Sequence, residues 1–102
     1  MEQLKVNYIS QSKQLHVTLK GDLTLIDALK LKSQLSEKVR GQQIVTIDMT
    51  YVDHIDLTGF NALLMAKKAL KDKPLHIKVN KGHEFHDLVH LTKFKDQFII
   101  SN

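Results

Sequence analysis

A chain of 102 residues is long enough for one hydrophobic core and too short for two, so residues 1–102 are expected to form a single domain. The sequence has no cysteine, which excludes disulfides and thiol chemistry and fits a reducing compartment. The net charge of +4 comes from scattered lysines without an arginine-rich tract, which favours a solvated lysine surface over nucleic-acid binding.

Membrane-directing segments are not evident in the sequence. No apolar run approaches the roughly 20 residues that a membrane-spanning helix requires. The stretch from Met1 to Lys5 lacks the apolar core of a signal peptide. We therefore expect a cytoplasmic protein that does not insert directly into a membrane.

The N-terminal part of the chain has the pattern of a β-hairpin with one solvated face. Apolar and polar residues alternate from Leu4 to Tyr8 and again from Leu15 to Leu19, with a polar turn between them. Thr24 can then cap a helix, with Asp27 three residues later in capping-box position. The apolar residues of this helix recur at helical spacing, at Ala28, Leu31, Leu35 and Val39.

The stretch from Ile44 to Leu70 predicts one strand that leads directly into one helix. Ile44–Ile47 is an apolar, β-branched run, which is typical of a strand buried on both faces. An acidic turn from Asp48 to Asp56 is expected next, and Asp56 can cap a helix that begins at Leu57. The N–H groups of that first turn would stabilise an anion.

The C-terminal part predicts a further strand, a helix and a last strand. Pro74 ends the preceding helix, and apolar residues alternate with polar ones from Leu75 to Val79. A short helix has an apolar face that includes Phe85, and a strand at Phe98–Ile100 can follow. Because strand–helix–strand steps favour right-handed parallel crossovers, the central turn is expected at the carboxyl edge of the sheet.

The order of these elements and three short motifs resemble the STAS family, the fold of bacterial anti-sigma factor antagonists. Asp48-Met49-Thr50 stands where the family has Asp-Leu-Ser or a similar sequence. Asp56-Leu57-Thr58-Gly59 stands where it has Asp-Ser-Ser-Gly or Asp-Ser-Thr-Gly, and Gly21-Asp22-Leu23-Thr24 is similar to Gly-Glu-Leu-Asp. The resemblance implies an α/β fold: a mixed β-sheet with an N-terminal hairpin, followed by helix–strand units whose helices pack on the sheet.

The resemblance also implies a regulator that acts by protein–protein contact, through partner switching in signal transduction and transcription regulation. Its partner would be an anti-sigma factor or a serine kinase. The partner-binding residues implied are Asp22, Thr24, Asp53, Asp56, Leu57, Thr58 and Phe60. A second role within the family is an accessory subunit of a membrane transporter, as in lipid-transport ABC complexes, and a transporter subunit would then be the partner.

The switch position departs from the family pattern. In switch members of the family, the phosphorylated hydroxyl follows the helix-opening Asp directly, and Leu57 stands there without a hydroxyl. Thr58 is a candidate phosphorylation site, although successive residues of a helix point about 100° apart. Its alternative role is a first-turn residue that bonds its own backbone. We expect constitutive partner binding. Thr24 is a second departure from the family pattern, because the family has Asp at that position.

Enzymatic chemistry is a less favoured interpretation. Asp48, Asp53 and Asp56 could hold Mg²⁺ or accept phosphate, as in a receiver domain, but the acidic pair after the first strand is missing. His54 could act as a base beside Asp53 and Asp56, yet no serine or cysteine nucleophile with an orienting group is evident. We therefore expect neither an enzyme nor a cofactor.

A histidine cluster offers a possible metal site. On a helix, the spacing of His83, His86 and His90 places all three on one side, where imidazoles can chelate Zn²⁺. The zincin motif is not met, because Asp87 stands where it requires histidine. No sequence-local carboxylate or cysteine completes a closed site. We expect a solvated helix face and no functional metal.

Overall fold

The computed structural model describes residues 3–102, and the elements below belong to that range. In chain order they are β1 (Lys5–Gln11), β2 (Gln14–Leu23), α1 (Leu25–Lys38), β3 (Ile44–Ile55), α2 (Leu57–Leu70), β4 (Leu75–Lys78), α3 (Glu84–Thr92) and β5 (Ile99–Ser101). A single 3₁₀ turn, Lys95–Gln97, precedes β5.

The strands form one mixed sheet in the order β1-β2-β3-β4-β5. β1 and β2 are antiparallel and are joined by Ser12 and Lys13, which both have the positive φ that a type I′ hairpin turn requires. The other neighbouring strands are parallel. The predicted hairpin, the mixed sheet and the helix–strand units are therefore confirmed.

All three helices contribute to one core on one face of the sheet. Each parallel strand is added next to the previous one, so right-handed crossovers place α1, α2 and α3 on the same side. The buried strand residues that meet them lie in register across the sheet, as Leu15, Val45 and Leu75, and as Val17, Ile47 and Ile77. None of these helices covers the opposite, open face, which carries polar side chains together with the exposed Ile9, Ile44 and Ile99.

The beginning of β3 is buried on one face only, so the prediction of a strand buried on both faces is wrong. Val45 and Ile47 are buried, whereas Ile44 is exposed. Thr46 lies in register with the exposed His16 on the open face. The reason is that side chains alternate along a strand and no helix covers the second face.

β3 also continues through the stretch predicted as an acidic turn. Met49, Val52 and Ile55 are buried at the core side, and Ile55 still pairs with Leu23 at the end of β2. Two register shifts between β2 and β3 absorb the extra residues as bulges. Asp48 and Asp53 are therefore strand residues, and the true connection to α2 is Asp56 alone.

An aromatic cluster connects α2 and α3 to the segment before β5. The ring centroids of Phe60, Phe85 and Phe98 lie 5.7–5.9 Å apart. Edge-to-face and tilted packing at this separation is favourable beyond the burial of apolar area alone. Because Phe60 is only 2% exposed, its side chain offers almost no surface for the partner contact expected of it.

Within residues 3–102, no helix combines the length and the apolar character that crossing a bilayer requires.

Candidate functional site

The starts of α1 and α2 meet at the carboxyl edge of the sheet. β2 ends at Leu23 and β3 ends at Ile55, and these residues are paired neighbours. α1 begins at Leu25 and α2 at Leu57, so each helix starts two residues beyond its strand. The N-terminal ends of two packed helices thus lie side by side.

Asp56 is the N-cap of α2, as predicted. Its Oδ1 accepts a hydrogen bond from the backbone N–H of Gly59 at 2.9 Å, and its carbonyl accepts the N–H of Phe60 at 2.9 Å. Its Oδ2 also accepts the N–H of Leu25, at 3.3 Å. The Asp56 carboxylate therefore accepts hydrogen bonds from backbone N–H groups of both helices.

Thr58 joins the same network through its hydroxyl group. The hydroxyl donates to Asp56 Oδ1 and accepts the N–H of Leu25 at 3.0 Å. Its bonds therefore reach a neighbouring side chain and the start of α1, rather than the backbone of Thr58 itself. Although Thr58 is an exposed residue, its hydroxyl is engaged on both its donor and acceptor sides.

The pKa of Asp56 lies below its ordinary value. Partial burial acts to raise this pKa, but hydrogen bonds from the Thr58 hydroxyl and from the N–H groups of Gly59 and Leu25 stabilise the carboxylate and outweigh the burial. The side chain is therefore ionised at neutral pH, and its charge complements the positive end of the α2 dipole.

The capping box predicted for α1 is absent. Thr24 occupies the N-cap position, but its side chain makes no capping hydrogen bond. The Asp27 carboxylate accepts instead from the N–H of Leu4, at 3.1 Å, because β1 passes beside the start of the helix. Leu25 has a φ of +48°, a left-handed conformation that costs a non-glycine residue roughly 1 kcal/mol or more.

Gly59 lets the first turn of α2 lie directly against the end of β2. A Cβ at this position would lie 2.2 Å from the carbonyl oxygen of Leu23 and 2.9 Å from Cγ1 of Ile55. No side chain fits there without movement of the backbone. The glycine in the Asp-x-x-Gly motif is thus required by a close helix–strand approach.

The other residues proposed for partner binding differ in how far they are exposed to solvent. Leu57 is 64% exposed, and Asp53 is exposed as well. Asp22 is 5% exposed and takes part in an interaction within the fold, so it offers almost no surface. Thr24 is half-buried at the junction of β2 and α1. The structure therefore brings Asp56 and Thr58 against the start of α1, next to Thr24 and Leu57 in the chain, whereas Asp22 and Phe60 are buried.

Three exposed apolar residues at the start of α1 escaped the sequence analysis. Leu25 and Leu29 are each 56% exposed, and Ile26 is 68% exposed. The available signal was their position outside the buried stripe at Ala28 and Leu31, since large apolar residues off the core stripe need another explanation.

The three histidines do not line one side of a helix, so that expectation is wrong. His83 precedes α3 and caps it: Nδ1 accepts the N–H of Phe85 at 3.0 Å, and Nε2 donates to the Val52 carbonyl at 2.8 Å. His86 Nε2 lies 3.1 Å from the carbonyl oxygen of Asn80. Across residues 3–102, no three His, Cys, Asp or Glu side chains gather closely enough to hold a metal ion.

His54 interacts with α3 at the same edge of the sheet. Its Nδ1 lies 3.1 Å from Oε1 of Glu84, and both side chains are more than half exposed. The same carboxylate oxygen accepts the N–H of Ile55 at 3.4 Å. Glu84 therefore holds the imidazole of His54 through Nδ1 and links the end of β3 to the start of α3.

Two solved structures share this fold. The crystal structure of an anti-sigma factor antagonist from Mycobacterium paratuberculosis matches with a TM-score of 0.81 at 16% identity, over 95% of this chain and 84% of that chain. The anti-sigma factor antagonist SpoIIAA in its unphosphorylated form matches with a TM-score of 0.72 at 9% identity, over 97% of this chain and 87% of that one. No curated protein sequence matches significantly.

The sequence itself gives the stronger assignment. A family model described as the Mlab, STAS domain matches residues 6–100, which is nearly the whole chain. The sheet order, the placement of the helices and the Asp-capped start of α2 agree with the fold expected from the resemblance. This protein therefore belongs to the STAS domain family.

Proposed function

We propose that this protein is a cytoplasmic regulatory module that binds another protein through the start of α2, as an anti-sigma factor antagonist would. The observation that carries the proposal is the exposure of Leu57, a large apolar residue that is 64% exposed at the first position of a helix. Leu57 stands where switch members of the family carry their phosphorylated hydroxyl. The position whose phosphorylation controls partner binding in the family thus holds an apolar residue in this chain, and we assign that residue to the contact surface.

The surroundings of Leu57 suit a contact surface. The hydrogen bonds between Asp56, Thr58 and Leu25 hold its backbone, so little conformational entropy is lost when a partner binds. A central apolar anchor of this kind can contribute about 2 kcal/mol or more to binding. Asp53 and Thr24 would form part of the polar rim, while Phe60 supports the helix from the core.

Leu57 should be tested by substitution, with the partner first recovered from the native cell, identified by mass spectrometry and then purified. We expect Leu57→Asp to weaken binding by about 30-fold or more in calorimetry, since 1.4 kcal/mol corresponds to tenfold in affinity. An acidic residue is favourable in the first turn of a helix, so the fold should persist. The matched control is Leu91→Asp on α3, where Leu91 is 74% exposed. Equal affinities of wild type and Leu57→Asp would refute the proposal.

Constitutive binding is part of the same proposal. Leu57 cannot be phosphorylated, and the Thr58 hydroxyl is already bonded to Asp56 and Leu25. A phosphate on Thr58 would add roughly −1.5 to −2 charges beside the ionised Asp56, which would repel it although the helix start attracts it. We therefore infer that control lies in the partner or in the abundance of this protein.

Intact mass is the direct test of constitutive binding. After incubation with its cognate kinase and ATP, the protein should show no added phosphate, and wild type and Thr58→Ala should bind the partner equally. A phosphate mapped to Thr58 and lost in Thr58→Ala, with release of the partner by Thr58→Glu, would show instead that the switch has moved by one residue.

An accessory subunit of a membrane transporter is the second candidate function. The specific observation in its favour is again the leucine at position 57, because a permanently assembled subunit has no need of the hydroxyl that a phosphorylation switch requires. The identity of the recovered partner separates the two candidates. A sigma-regulatory kinase supports the first, and a transporter subunit supports the second.

A further inference from the structure

The first turns of α1 carry a second group of exposed apolar residues. Leu25, Ile26 and Leu29 are 56%, 68% and 56% exposed. At about 100° per residue, these three positions fall within one quarter to one third of the helix circumference. The buried residues Ala28 and Leu31 lie on the other side of α1. The helix thus has a core face and a separate apolar face that is more than half exposed.

This second apolar face adjoins the start of α2. The N–H of Leu25 lies 3.0 Å from the Thr58 hydroxyl oxygen, and Thr58 directly follows Leu57. Leu29 is one helical turn beyond Leu25 on the same side. We name the four residues Leu25, Ile26, Leu29 and Leu57 the double-helix patch. Exposed apolar patches with a polar rim are characteristic of protein–protein interaction sites.

The charges around the double-helix patch are mainly negative. Asp56 is bonded to Leu25 itself and is ionised, and the exposed Asp53 and Glu84 lie along the same edge of the sheet. Lys30 and Lys32 on α1 are basic residues near the patch, and the half-buried Asp27 adds a further acidic one. The opposite end of the molecule is basic, with cationic residues in and after the last turns of α1 and α2 at Lys38, Arg40, Lys67, Lys68 and Lys71.

We propose that the partner lays one apolar element, flanked by basic residues, across the starts of both α1 and α2, so that Ile26 and Leu29 are contact residues together with Leu57. This inference rests on the proposed function, because it names the extent and the partner chemistry of the same surface. Complementary charge favours a basic partner. A second copy that used the same patch would bring two mainly acidic surfaces together, and this like-charge repulsion disfavours a symmetric dimer.

Photo-crosslinking in the native cell tests this inference separately from the proposed function. A photoreactive phenylalanine analogue is placed at Ile26, at Leu57 or, as a control, at the exposed Leu91 in the last turn of α3. We expect crosslinks to the same protein from positions 26 and 57, none to that protein from position 91, and a captured peptide that contains apolar residues with neighbouring lysine or arginine.

Each other outcome is decisive. A crosslink from position 57 without one from position 26 would leave the proposed function standing and overturn the extension to α1. The loss of the crosslinks from both positions would overturn this inference and the proposed function. A crosslinked product of two copies of this chain would assign the patch to self-association and so overturn the inference. An acidic captured peptide would contradict the charge argument.

Substitution at Ile26 gives an independent measure with the purified partner. We expect Ile26→Asp to weaken binding about tenfold. Because the proposed partner is basic, the affinity of the wild type should also fall as the ionic strength rises. Asp in the first turn of α1 favours the helix, and circular dichroism checks that the fold persists. Unchanged affinity for Ile26→Asp, together with a large loss for Leu57→Asp, would overturn the inference alone.

Discussion

The starts of α1 and α2 lie side by side, yet they are stabilised in different ways. α2 carries its own cap, since Asp56 accepts the N–H of Gly59 three residues later. α1 has a threonine at the equivalent position that makes no side-chain cap, and the N–H of Leu25 is satisfied by Asp56 and Thr58 of the other helix. The start of α1 therefore depends on side chains of α2, whereas the start of α2 is capped by its own Asp56.

This dependence has a consequence for the proposed interaction surface. Leu25 has a left-handed backbone conformation, which persists only where its surroundings hold it. The groups that hold it, Asp56 and Thr58, flank Leu57 in the sequence. A change at the start of α2 is therefore expected to alter the apolar face of α1 as well, and the two halves of the double-helix patch are coupled.

The largest effect is expected where α2 touches β2. Gly59→Ala should destabilise the protein by about 3 kcal/mol, because the new Cβ meets the backbone carbonyl of Leu23 and the side chain of Ile55. At an ordinary helix position the same change would stabilise by about 1 kcal/mol. Urea denaturation measures the difference, with Asn61→Ala at an exposed position of α2 as the control. A neutral or stabilising Gly59→Ala would contradict the close approach.

A smaller effect is expected from the hydroxyl that connects the two helices. Thr58→Val removes the acceptor of the Leu25 N–H and a donor to Asp56, and it should cost about 1 kcal/mol. The matched control is Thr92→Val in α3, where the hydroxyl donates to the Leu88 carbonyl within the same helix. Amide hydrogen exchange at Leu25 should accelerate in Thr58→Val but not in Thr92→Val. Unchanged exchange would show that the start of α1 is held without α2.

The smallest effect concerns the charge of the cap. Asp56→Asn keeps a good N-cap, so we expect a loss of only about 0.5 kcal/mol at neutral pH. The folded pKa of Asp56 is depressed, so its ionised form stabilises the fold above the unfolded pKa of about 3.9. That stability is lost as the pH falls through the folded value. The difference between wild type and Asp56→Asn should therefore be constant above pH ~5 and shrink below pH ~4; a difference that persists at low pH would refute the charge effect.

Sequence reasoning succeeded where a local interaction determines the structure. The Asp56 cap depends on donors within three residues, so the motif sufficed to predict it. The first helix also has a capping-box spacing, but Leu4 recruits Asp27 from 23 residues away in the chain. A local pattern cannot indicate that competition, because it arises only when β1 is placed beside α1.

The errors at β3 and α3 have the same origin. Asp48 and Asp53 have turn-forming side chains, yet pairing with β2 extends β3 past both of them as far as Ile55. His83 has helical spacing to His86, yet its imidazole bonds the Val52 carbonyl and so ends up as a cap before α3. In both places tertiary hydrogen bonds override a sequence pattern that is correct for an isolated segment.

The most direct test of a partner surface at the paired helix starts is a magnetic-resonance titration of ¹⁵N-labelled protein with the purified partner. The account predicts that the backbone amides that shift or broaden most are those of residues 25–29 and 57–60, with the open sheet face around His16 and Thr46 unchanged. Perturbations centred on that open face, or on the basic end near Arg40 and Lys71, would contradict it.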